Sequence, residues 1–313
     1  MRAYRTIAAW IVAFCVACRA VAYEPDTYFD ESADTCGESS EEIDRCGRKG
    51  GQRKRAMFDW SFITGNVPEY EDPADSPLDL DRPDFTEAST TVGRGLSVLE
   101  YGYTYTIQDR LNSGHSLPET LLRVGMGADW YEFRIADNLL SQSGNDPINP
   151  ISAAGLEDLY LGSKFQLFVQ DGWLPEAVLI PQMTVPTGHR AFTAGRVLPG
   201  INCVYGWGIG DELGIGASTQ FNSIVDDVGT TYVEFAQTFV LDIPITERLG
   251  MYVEWFGFMP HGAASLNVGP QHYADTGLAF LINDNMQIDV RVGMGLNDHA
   301  DQFFTGVGGG VRW

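Results

Sequence analysis

Positive charge is scarce in this 313-residue chain: 20 Lys and Arg stand against 42 Asp and Glu, a formal net charge of −22. So acidic a surface argues against nucleic-acid binding, which needs a basic face. Long apolar runs are missing after the N-terminus, so no stretch of about 20 apolar residues is available to cross a bilayer as a helix. Histidine is limited to His115, His189, His261, His272 and His299. None stands at ligand spacing to another, and no metal site or cofactor is expected. His115-Ser116 is adjacency only, since a Ser–His pair must be built in space, and no enzyme is expected. No Gly-Lys-Ser/Thr phosphate loop opens a helix.

Cysteine is sparse as well, with five residues. Cys15 and Cys18 lie in the leader, Cys36 and Cys46 follow it, and Cys203 falls in an expected strand. An oxidising compartment permits a Cys36–Cys46 disulfide, and two free thiols in a loose tail fit equally well.

What is present begins with a secretory leader over residues 1–22. Arg2 and Arg5 precede an apolar stretch, and Ala20-Val21-Ala22 supplies small residues for cleavage. A lipoprotein leader ending at Cys18 is a second reading. Residues 23–94 differ from everything that follows. An acidic block holds Glu24, Asp26, Asp30 and Glu31, and a basic block holds Arg48, Lys49, Arg53, Lys54 and Arg55. Adjacent blocks of opposite charge with little apolar periodicity predict a disordered arm, placed in the periplasm, with a plug role as a further option.

Residues 95–313 alternate apolar and polar positions in segments of roughly ten residues, the pattern of a transmembrane β-barrel. The expected class is all-β: an antiparallel up-and-down barrel of about 12 strands. Strands are predicted at 99–107, 119–126, 130–136, 156–169, 177–185, 200–209, 213–222, 232–243, 249–258, 273–282, 286–295 and 303–313. Two hairpins test the pattern. Folding about Asp211 sets Ile209 against Leu213, Trp207 against Ile215, and Gly206 against Gly216. Folding about Asp284 sets Ile282 against Met286, Phe280 against Ile288, and Gly277 against Arg291. Apolar meets apolar in both, which a one-residue slip would destroy.

Connections alternate short and long, as in barrels with short periplasmic turns and longer outer loops. Trp130, Trp173, Trp207 and Trp313 gather near the short turns, where indole suits a membrane interface. A soluble sandwich or lipocalin-like barrel would alternate too, but explains neither feature.

Charged residues on the inner face are the candidate site: Arg123, Glu132, Arg134, Glu234, Glu254, Asp275, Asp289 and Arg291. On the lipid face an Arg or Lys at mid-depth would cost about 2–4 kcal/mol, which facing the lumen avoids. The registers predict an Asp275–Arg291–Asp289 cluster and a second network of Arg123, Arg134 and Glu132, since diagonal neighbours on a sheet face reach one another. These read as a selectivity constriction or as bracing of the wall. Glycine alternation at Gly206, Gly208, Gly214 and Gly216, and again at Gly306, Gly308 and Gly310, leaves the inner wall bare. That bareness reads as room for a permeant or as strand curvature.

Asp81-Arg82-Pro83-Asp84-Phe85-Thr86-Glu87, followed by Leu99-Glu100-Tyr101-Gly102-Tyr103-Thr104-Tyr105, resembles the opening of the meta-pathway phenol-degradation family, whose members are often labelled transporters. Pro181-Gln182-Met183-Thr184-Val185-Pro186-Thr187-Gly188 and Gly295-Leu296-Asn297-Asp298 look like its planctomycete-type members. The resemblance spans residues 81–313 and implies an outer-membrane barrel for passive passage of a small solute, with hydrophobic or aromatic compounds in view. The expected partners are outer-membrane lipid, the permeant and the outer-membrane assembly machinery. The alternatives are a non-conducting structural barrel and an outer-membrane lipid-modifying enzyme.

Overall fold

A computed structural model describes residues 56–58, 60–65, 72–144, 151–210 and 213–313. The expected leader and the Cys36–Cys46 pair lie outside the described residues. Among the described residues, thirteen strands follow one helical turn, Ser61–Thr64: β1 (Ser97–Ile107), β2 (Asn112–Gly125), β3 (Tyr131–Gly144), β4 (Ile151–Leu156), β5 (Leu159–Phe168), β6 (Glu176–Val185), β7 (Leu198–Ile209), β8 (Leu213–Val225), β9 (Thr231–Thr246), β10 (Leu249–His261), β11 (Gln271–Asn283), β12 (Met286–Gly295) and β13 (Phe303–Arg312).

Each strand is antiparallel to its neighbours. The ring closes because β1 pairs with β13 and β2 with β3. Two strands share one stave: β4 pairs with Leu139–Gly144 of β3, and β5 with the Tyr131–Ala136 half of the same strand. The barrel therefore has twelve staves, as the hydrophobic pattern predicts.

The Asp211 hairpin keeps its predicted register throughout, from Ile209↔Leu213 to Ile201↔Phe221. The Asp284 hairpin keeps Phe280↔Ile288, Leu278↔Val290 and Gly277↔Arg291. Next to the turn a bulge replaces the expected Ile282–Met286 pair with Asn283↔Met286. Such bulges insert one residue and tighten the local twist.

Segments 108–118 and 137–155, expected as long loops, are largely strand. β2 starts at Asn112 and β3 runs on to Gly144. These extensions lack the apolar alternation that marks the other strands, with Leu139 and Leu140 adjacent and most other positions polar, so the backbone ladder defines them.

Burial alternates with the barrel's two faces. On β12, Ile288, Val290, Val292 and Met294 are 42–56% exposed, whereas Gln287 and Asp289 are 7% and 3% exposed. The exposed positions are the lipid face. The interior is correspondingly polar: Arg123, Arg134, Lys164, Gln166, Glu100, Glu132 and Glu254 are among the largest fully buried side chains.

At the end bearing the short turns, Trp173 and Trp313 are 79% and 47% exposed, and Trp207 Nε1 donates to the Trp173 carbonyl at 2.9 Å. A second aromatic group lies toward the long loops, where Phe239, Trp255 and His272 stack in sequence.

Candidate functional site

Residues 72–96 are ordered and lie against the inner wall, which corrects the expected disordered arm for this part of 23–94. The segment enters at the short-turn end. Arg312 of β13 donates to the carbonyls of Pro73 (2.9 Å) and Ser76 (2.8 Å), and the Leu78 amide donates to the Asp284 carbonyl of a short turn. Leu78, Leu80 and Val92 pack with Val98 into a small apolar cluster. The chain turns back at residues 82–87 and returns to the same end. There the Thr91 hydroxyl donates to the Asp129 carbonyl, and the Arg94 amide to the Asp129 carboxylate. Two internal contacts close the loop: Thr90 Oγ1 to Asp79 Oδ2 (2.5 Å) and the Ala88 amide to Asp81 Oδ1 (3.0 Å). The order of this segment comes from the wall. Its polar backbone would be unpaired in an apolar cavity, and the inner wall supplies the donors and acceptors it needs.

Asp81 is the hub. Its carboxylate meets Arg134 at 2.6 Å, Lys164 at 2.8 Å and Arg123 at 3.5 Å. Burial alone would raise this carboxyl, but Arg123, Arg134 and Lys164 together hold it well below the usual carboxylate range. Arg134 also grips Glu87 on the returning leg at 2.9 Å. Arg123 donates to the Asp79 and Thr90 carbonyls on opposite legs, and Lys164 Nζ to those of Ala88 and Thr90. Three wall cations thus clamp both legs of the loop.

The predicted Arg123–Arg134–Glu132 network is present. Arg123 lies opposite Arg134 and binds Glu132 at 2.8 Å, and Glu132 accepts the Val92 amide at 3.0 Å. What the strand registers omitted is the acid that unites the two arginines, because Asp81 belongs to no strand.

At the tip, Glu254 of β10 accepts three hydrogen bonds: from the Phe85 amide (2.6 Å), the Thr86 amide (2.7 Å) and the Thr86 hydroxyl (2.6 Å). Thr86 Oγ1 also lies 2.5 Å from Thr238 Oγ1. The Phe85 ring stacks on Phe256 with centroids 4.7 Å apart and meets Phe258 edge-on at 5.2 Å. Tyr273 and Phe304 complete this aromatic cluster.

The Asp275–Arg291–Asp289 cluster does not form. The registers are as predicted, but the inserted loop redirects the charges. Arg82 of the loop binds Asp289 (3.5 Å) and Glu119 (2.7 Å). Arg291 instead donates to the Pro83 carbonyl (3.2 Å) and Thr104 Oγ1 (2.8 Å). Asp275 accepts the Tyr252 hydroxyl at 2.8 Å. Glu234 lies half-buried on the inner face, opposite Asn222 of β8, away from the loop's contacts.

The two bare glycine stripes have different fates. A methyl on Gly102 or Gly308 would run into the Arg82 guanidinium, and one on Gly310 into Leu80, so that stripe is the groove in which the loop lies. Gly206, Gly214 and Gly216 instead face a cavity of about 430 Å³ between the loop and the β6–β11 wall. A second cavity, of about 680 Å³, lies toward the long loops and is lined by Tyr160, Thr184 and residues 191–194. The loop after β6 folds over it. Asp158, at the break between β4 and β5, holds that fold through the amides of Gly188 and Ala194.

Comparison with known proteins adds the following. A family model described as "Putative MetA-pathway of phenol degradation" matches residues 80–313. Among solved structures, an outer membrane channel from Pseudomonas putida F1 is similar at a TM-score of 0.59 and 11% identity, covering 74% of this chain and 99% of that one. The NanC porin (TM-score 0.43, 11% identity, 69% and 98% coverage) and the transport unit of the autotransporter AIDA-I from Escherichia coli (0.46, 10%, 70% and 89%) are less similar. No curated protein sequence matches the chain.

Proposed function

The chain belongs to that family, and from this premise we propose that it is an outer-membrane channel for passive passage of a small solute, gated by its own segment 72–96. The short turns face the periplasm, so both ends of the gating loop start there. The observation that carries the reading is the kind of contact that fills the lumen. The loop is held by hydrogen bonds and ion pairs to side chains, not by ladder pairing as a thirteenth stave. Such contacts can be exchanged for water one by one, whereas a strand must leave a closed sheet all at once.

Space remains beside the loop, about 430 Å³, and toward the long loops, about 680 Å³. Phe85 leaves the Phe256 ring when the loop withdraws, which would open an aromatic face to a permeant, in keeping with the family's description.

A non-conducting barrel is the second reading, favoured by one specific feature. Immediately around Arg123, Arg134 and Lys164 the lumen is packed solid. Single-channel recording of the full chain in a planar bilayer separates the two. A channel shows stepwise currents whose open fraction rises when the tip contact is weakened by Glu254→Gln. A solid barrel stays silent in both forms.

A further inference from the structure

The lumen's charges are sorted by side. Strands β6 to β11 carry no Arg or Lys at any position. Three cations of the opposite half are spent, and Arg291 is held by the Pro83 carbonyl and Thr104 Oγ1. Arg123, Arg134 and Lys164 have side chains 0–1% exposed, each bound to Asp81, so none offers charge to a passing solute.

Both open spaces are bordered by carboxylates. The cavity of about 430 Å³ is lined by Asp79, Asp84, Glu87, Glu176 and Asp242. Its one lining cation, Arg82, is engaged by Glu119 and Asp289. The cavity of about 680 Å³ is lined by Asp137, Glu157, Asp158, Asp226 and Asp227, with no Lys or Arg in its lining. Asp137, which lines the larger cavity, has a buried Oδ1 with no hydrogen-bond partner.

We propose that the solute passed by this barrel is positively charged: the route runs through the two carboxylate-lined cavities, and Asp242 and Asp137 are among the residues that select cations over anions. This rests on the channel reading above. Uncompensated carboxylates in a narrow, low-dielectric passage concentrate cations and repel anions. Neutralising a few of them therefore changes selectivity without touching the clamp on the loop. Neither Asp242 nor Asp137 hydrogen-bonds the loop's anchoring residues, and an Asp→Asn change keeps their shape; Asp242 lies near Asp84 of the loop, so the Asp137→Asn single variant reads selectivity apart from docking.

The test is the reversal potential of the full-length chain in a planar bilayer across an about tenfold KCl gradient, with the dilute side kept low because salt screens such fields within about 10 Å at 0.1 M. The inference expects a potential shifted toward the potassium limit, with potassium favoured over chloride by about tenfold. It also expects that ratio to fall toward unity in the Asp137→Asn, Asp242→Asn double variant. A reversal potential near zero or on the chloride side overturns the inference and leaves the channel reading intact. An unchanged ratio in the double variant overturns the assignment to these two residues. Complete silence from a folded barrel contradicts the channel reading, and the inference falls with it.

Discussion

Asp81 and Arg134 meet at 2.6 Å, joining a segment that belongs to no strand to the middle of a membrane-spanning wall. Arg134 is 1% exposed and Asp81 8% exposed, so the pair is shielded from water and from salt. Removing one partner of a buried pair typically costs about 3–5 kcal/mol, because the other charge stays buried. In Asp81→Asn, three cations lose their shared acid. The expected result is release of residues 72–96 with the barrel intact, seen as faster amide exchange in that segment and unchanged exchange in β7–β12.

Glu254 holds the tip through three donors on two consecutive residues. Hydrogen bonds to a charged acceptor are stronger than those to a neutral one, and Gln keeps the shape but not the charge. Glu254→Gln is expected to weaken docking by about 2 kcal/mol, or about thirtyfold in open probability. Single-channel dwell times measure this directly, and an unchanged closed time would show that the tip does not set the gate.

Docking should also depend on pH, with a sign set by Asp84. Its burial, and then the nearby Glu254, Asp242 and Asp275, push the Asp84 carboxyl well above the ordinary carboxylate value. The docked segment therefore binds a proton that the released segment has lost, and docking weakens as pH rises above that ordinary value. Asp81 has the opposite sign. Its carboxyl is lowered on docking, so its contribution is intact at neutral pH and is lost only in strong acid. Open probability should rise as pH climbs above the ordinary carboxylate value. The rise should shrink in Asp84→Asn.

Gly102 separates the loop from the wall as targets. All three atoms nearest to a methyl placed there belong to Arg82. Gly102→Ala should therefore displace Arg82 and loosen the loop while heat-modifiable gel migration of the barrel stays normal. Gly250→Ala, where nothing lies within 4 Å, should change neither.

The barrel was legible in the sequence because a lipid face and a polar face impose period-two alternation on each stave. The hairpin registers about Asp211 and Asp284 followed from that rule alone. The lumenal contacts were legible only where wall met wall, as for Arg123 and Glu132. Asp81, Arg82, Phe85 and Thr86 escaped because a segment held by side chains has no period of its own. A signal was nevertheless present: the glycines at 102, 308 and 310 strip one stripe of the wall, and a bare stripe implies something lying in it. The Asp275–Arg291–Asp289 cluster failed for the same reason, since Arg82 enters from outside the register and takes Asp289.

The most direct test of gating by residues 72–96 is a tether at the loop tip. Thr86 and Thr238 have side-chain oxygens 2.5 Å apart, so cysteines at both positions stand within disulfide reach. With Cys36, Cys46 and Cys203 replaced by serine, single-channel current of Thr86→Cys, Thr238→Cys should be absent under oxidation and should appear when reductant is added to the same bilayer. Equal currents in the oxidised and reduced states, with the disulfide verified, would contradict the account.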